Sequence, residues 1–146
     1  MTDDHDNVIR FPHCARRVDD LDAKLEGLLG TTRMRYYKLD GHTPVRVETL
    51  KAWADEVAQH DRITALTAID PWRVDVTKID EVVISTVFLG VDYRMSRRGS
   101  PLLFETKVFG GSLDHFQNRC ATWDNAERMH AEAVALVRGE HVQKLR

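Results

Sequence analysis

The chain has 146 residues, 42% hydrophobic and 30% charged, with 21 lysines and arginines against 23 aspartates and glutamates for a formal net charge of -2. That length suits one ordinary domain with its own core, and no apolar run approaches the ~20 residues that a membrane-spanning helix needs. The near-neutral balance gives no basic field for gathering phosphates, so nucleic acid is not expected as the main partner, and no membrane is.

The acidic start, Met1-Thr-Asp-Asp-His-Asp, lacks the basic-then-apolar order of a secretory signal, and a cytoplasmic protein is expected. Residues 1–16 mix charge, histidine and one proline without periodicity and read as a flexible tail, leaving 17–146 as a single domain. Residues 17–30 form an accessory amphipathic helix. In it Val18, Leu21, Leu25, Leu28 and Leu29 recur at helical spacing, Asp19, Asp20 and Asp22 crowd the favourable first turn, and Gly30 can stop it. A leucine stripe on so short a helix needs a cover, so Leu21, Leu25 and Leu28 are expected to make a homo-oligomer contact.

Arg33 to Leu39, with Tyr36 and Tyr37, reads as a strand ended by Asp40-Gly41 and Pro44. A helix follows, with Val47, Leu50, Trp53, Ala54 and Val57 on one face. Ile63 to Pro71 fits neither period cleanly and is placed as a helical extension. Trp72 to Thr77 and Val82 to Leu89 make a hairpin around Lys78-Ile79-Asp80, both arms rich in β-branched residues. Leu102 to Phe109 is the next strand, with Leu102, Phe104, Thr106 and Val108 on an apolar side and Leu103, Glu105, Lys107 and Phe109 on a mixed one. Glu81–Gly90 and Pro101–Gly111 thus supply two paired strands at the centre of a sheet. The last helix runs from Thr122, its N-cap, to about Arg138, with Trp123, Ala126, His130, Ala133, Val134 and Val137 inward. The fold class is α+β: a mainly antiparallel sheet of about four strands with helices covering one face, plus the N-terminal helix.

Four stretches, Arg35–Val45 (RYYKLDGHTPV), Ile84–Gly90 (ISTVFLG), Pro101–Gly111 (PLLFETKVFGG) and Ala121–Glu127 (ATWDNAE), resemble a group of small uncharacterised proteins of phages and prophage-bearing bacteria. The resemblance spans about Arg35 to Arg138 and implies a phage setting, without a reaction. The chain departs from that pattern in the tail and leucine-striped helix before Arg33 and around Ile63 to Trp72, which look like additions, in Tyr93 for a usual histidine, and in Met129 for a usual glycine.

A histidine on an apolar helix stripe must find a partner or lose its charge, which singles out His130. Glu105, mid-strand among apolar neighbours, can act as a general base, although pairing with Lys107 or an arginine is the plainer reading. Asp92 and Tyr93 leave the central strand for a loop whose Arg94, Arg97 and Arg98 make a local basic patch, and strand ends often carry functional side chains. Adjacent Tyr36 and Tyr37 point to opposite faces, so one packs while the other is displayed for contact. Gly110-Gly111 reads as a tight turn without a phosphate-loop pattern. The spacing of His13-Cys14 and of His115 with Cys120 matches no standard zinc arrangement, so neither metal nor cofactor is expected. The leading expectation is a protein that binds a host protein or protein complex, with a counter-defence, anti-CRISPR-like inhibitor as the specific form. The alternative, ranked second, is a small-ligand site or hydrolytic enzyme built from Glu105, His130, Asp92 and Tyr93 at one end of the sheet.

Overall fold

The computed structural model describes residues 34–92, 94 and 98–144, which belong to a compact unit, Met34–Arg146. The tail at 1–16, the accessory helix with Leu21, Leu25 and Leu28, and Tyr93 and Arg97 lie outside the described residues.

Strand β1 (Arg35–Asp40) does not lead into a helix as expected. It turns through Gly41-His42 into β2 (Thr43–Val47), with Asp40 opposite Thr43 and Tyr36 opposite Val47. Gly41 adopts φ +60, a backbone that glycine tolerates at the head of a tight hairpin loop. Pro44 is accommodated because β2 is an edge strand, where a missing N–H costs little. Val47, expected on the helix face, is instead buried at the end of β2.

The first helix, α1 (Leu50–Thr67), starts where the Thr49 hydroxyl accepts from the Ala52 amide at 3.1 Å. It buries Trp53, Val57 and His60, while Ala54 is exposed. The helical extension past Ile63 is present and ends at Ala68, whose left-handed backbone returns its N–H to the Thr64 carbonyl.

A four-stranded antiparallel sheet follows in the order β3 (Arg73–Ile79), β4 (Val82–Phe88), β6 (Phe104–Phe109), β7 (Gln117–Cys120). The expected pair, β4 and β6, is central, with Thr86 opposite Thr106 and Phe88 opposite Phe104. The β3–β4 turn is Asp80-Glu81, slightly later than expected. Helix α2 (Trp123–Lys144) packs over all four strands and runs beyond Arg138. Thr122 caps it, accepting from the Asn125 amide at 3.2 Å. Every residue of its expected inner stripe is buried, together with Met129, and Ile84, Val108, Ala133, Val134 and Val137 form the core beneath it.

The expected single sheet is in fact two. After Phe88 the chain leaves the larger ladder at Leu89, whose amide donates to the Leu103 carbonyl. It enters a three-stranded sheet, β2-β1-β5, where the Gly90 carbonyl accepts from the Tyr37 amide and β5 (Val91–Asp92) pairs with β1. Gly90 makes this corner possible. Its φ is +73, and a Cβ there would lie 3.1 Å from Trp53 Nε1 and 3.2 Å from the Trp72 ring. An aromatic row, Trp72–Phe88–Phe104–Trp123, then runs through the larger sheet, and the hairpin tip closes onto it with His42 stacked on Trp123 at 3.8 Å. Among the described residues no helix is long and apolar enough to cross a membrane.

Candidate functional site

His130 lies under the α2 stripe with 3% of its surface exposed, its Nε2 at 2.8 Å from Thr77 Oγ1 and its Nδ1 at 2.8 Å from Thr86 Oγ1. Thr86 in turn bonds Thr106 at 2.6 Å, so a chain of hydroxyls satisfies the ring inside the core. Burial holds the imidazole below its ordinary value against a smaller opposing pull from Asp75, whose carboxylate is 3.7 Å away.

Glu105 faces the other way. Strand alternation puts it opposite in phase to Thr106, and its Oε2 accepts from Gln117 Nε2 at 2.7 Å and Arg119 Nε at 2.9 Å, both on β7. Lys107 does not pair with it and lies over the Phe109 ring. Asp92 belongs to the smaller sheet. Glu105 and His130 therefore face opposite sides of the larger sheet and do not meet in one site.

A different set does come together. Tyr36 and Lys38 face α1, where Tyr36 packs on Trp53 with ring centroids 5.3 Å apart and Lys38 reaches Glu56 at 3.4 Å. Period-two alternation then sends Arg35, Tyr37 and Leu39 to the opposite face of β1. Cross-strand register adds Arg46 beside Tyr37, Pro44 beside Leu39 and Asp92 beside Arg35. Asp92 is buried and held in a fork by Arg94, Nε to Oδ1 at 3.0 Å and Nη2 to Oδ2 at 3.1 Å, while Arg94 Nη1 donates to the Arg98 carbonyl. Burial raises the Asp92 carboxyl, but the Arg94 hydrogen bonds and the charges of Arg94 and Arg35 outweigh it and leave the group below the usual carboxylate range. The Arg94 guanidinium is raised chiefly by its bond to Asp92.

Of the residues expected to bind, Tyr36 is thus a packing residue, Tyr37 is half-buried on the face turned away from α1, and Arg94 is an anchor for Asp92. Arg98 contributes a carbonyl that pins Arg94. Arg35 shares the face of Tyr37 by strand alternation alone, whereas Arg46 joins it only through the hairpin turn at Gly41, which an alternating reading of Arg35 to Val47 brings out.

A second polar cluster also escaped the sequence reading. His60, 4% exposed, bonds Asp70 at 2.6 Å and Asp61 at 3.1 Å and stacks on Trp72 at 4.5 Å. Burial raises the Asp70 carboxyl, yet the His60 bond and charge, the Trp72 amide and Arg73 together hold it below the usual range. This clamp ties the body of α1 to the connection that leads into β3. Among the described residues no group of three His, Cys, Asp or Glu side chains is placed to hold a metal ion. His115 pairs with Asp114, and the Cys120 thiol, pushed up by burial, donates to the Thr122 carbonyl.

Comparison with family models, curated proteins and solved structures finds no match to this chain.

Proposed function

We propose that this chain is an accessory protein of a phage or prophage that works in the host cytoplasm by binding a host protein or protein complex, with inhibition of a defence system, in the anti-CRISPR manner, as the specific form. The observation that carries the binding reading is the face of the β2-β1-β5 sheet turned away from α1, where exposed Arg46 lies beside half-buried Tyr37 and Arg35 follows on the same side of β1. Arginine and tyrosine are the residues in which interface energy concentrates. A sheet also presents them on a rigid base, so little ordering cost opposes association. The phage setting is supported by the likeness of Arg35–Val45 and the three other stretches to phage proteins.

Host lysate passed over the immobilised full chain tests this reading. A defined protein should be retained by the native chain and lost with Tyr37→Ser and Arg46→Glu. Retention that is equal for native and altered chains would place binding elsewhere and contradict the proposal.

A further inference from the structure

The open face of the smaller sheet has a sign and a grain. Arg35, Arg46 and Arg94 share it with one carboxylate, Asp92, and that carboxylate is fully engaged by Arg94. Three guanidiniums against one carboxylate leave positive charge in excess although Arg35 also acts on Asp92, and among the described residues neither the Arg46 guanidinium nor the Tyr37 hydroxyl has a hydrogen-bond partner. Along β1 the face changes character: Arg35 at one end, Tyr37 with Arg46 in the middle, Leu39 with Pro44 at the other. From Arg35 to Leu39 this is four strand steps, roughly 13 Å, so an extended chain lying over it would meet charge first and an apolar pair last.

We infer that this face receives an acidic, extended segment of the partner protein that ends in apolar residues. The inference rests on the binding reading above and names the chemistry of its occupant. Carboxylates of such a segment would meet Arg35 and Arg46, a planar or aliphatic side chain would lie on Tyr37, and the apolar end would cover Leu39 and Pro44. Single-stranded nucleic acid fits less well. A net excess of two positive charges neutralises few phosphates, the Asp92 carboxylate lies in the same row, and Leu39 with Pro44 gives a sugar-phosphate backbone nothing to pair with.

The test uses the full chain and three fluorescent probes of equal length: a peptide of glutamates followed by leucines, its counterpart with lysines in place of the glutamates, and oligothymidylate. The glutamate peptide should bind, weaken with added salt, and lose about tenfold in affinity in the Arg35→Glu, Arg46→Glu double variant, in keeping with two surface ion pairs turned repulsive. Arg35→Gln with Arg46→Gln provides the same comparison should the charge reversals unfold the domain, as judged by circular dichroism. Tighter binding of oligothymidylate or of the lysine peptide would overturn the inference, as would glutamate-peptide binding that ignores both pairs of changes or fails altogether. Should the peptide fail while capture from lysate still depends on Tyr37 and Arg46, only the acidic occupant is wrong. Capture indifferent to Tyr37 and Arg46 removes the binding reading itself.

Discussion

His130 shows how one polar side chain can sit inside an apolar core. Both ring nitrogens have hydroxyl partners, so its replacement strips two hydrogen bonds and opens a void. His130→Ala should cost about 2–4 kcal/mol in urea unfolding. The pH dependence has a definite sign. With the folded-state value held below 6.5, the unfolded chain binds the proton first, so stability is complete above that pH and declines as pH falls toward the folded value. Asp70 and Asp92, depressed from 3.8, add a second loss only at lower pH. Unfolding midpoints between pH 8 and 5 should fall in the native protein and stay flat in His130→Gln. A flat native profile would mean that the folded chain takes up the proton as readily as the unfolded one, which contradicts a ring held below its ordinary value. The place of His130 was legible because an apolar stripe leaves a histidine no other option. Glu105 was legible only as a carboxylate in need of an arginine. Its partner, Arg119, lies on β7, whose Gln-Asn-Arg-Cys sequence has neither β-branched residues nor alternation to announce a strand.

At the scale of elements, the corner at Gly90 decides the architecture. The run Val82–Leu89 reads as one continuous strand because Val82, Val83, Ile84, Thr86, Val87 and Phe88 all favour extended structure. The division into two ladders depends on a single positive φ and on the room that Trp53 and Trp72 leave for a hydrogen in place of a Cβ. Gly90→Ala is therefore expected to destabilise the domain by about 2–4 kcal/mol, from left-handed strain and from overpacking against two indoles, measured by thermal or urea unfolding. A change below half a kcal/mol would show that the corner does not need glycine. The two helices are stopped and started by local chemistry as well. Removing the α1 cap by Thr49→Ala should cost about 1 kcal/mol, whereas Leu66, 80% exposed in the last turn of the same helix, should tolerate alanine with little change. Helix α2 could be phased from sequence because its buried positions recur cleanly. The β1–β2 hairpin could not, since Val47 sits at a spacing that also continues the α1 stripe through Leu50 and Trp53.

For the whole molecule, Tyr37 and its two arginines depend on everything beneath them: the Gly41 turn sets the register that brings Arg46 alongside, and the Gly90 corner places Asp92 and Arg94 at the row's end. Self-association is argued from sequence alone, since Leu21, Leu25 and Leu28 lie outside the described residues. Leu21→Asp with Leu25→Asp should give a folded chain of lower mass in sedimentation, and a native chain that is already monomeric at high concentration would contradict it. The central claim, that the protein acts through the open face of its smaller sheet, is tested most directly by site-specific photocrosslinking in host extract. A crosslinking phenylalanine analogue is placed at Tyr37 and, separately, at Leu136, which is 50% exposed on α2. A discrete adduct at Tyr37, competed away by excess native chain and absent at Leu136, is the predicted result. An adduct at Leu136 of equal strength, or none at Tyr37, would contradict it.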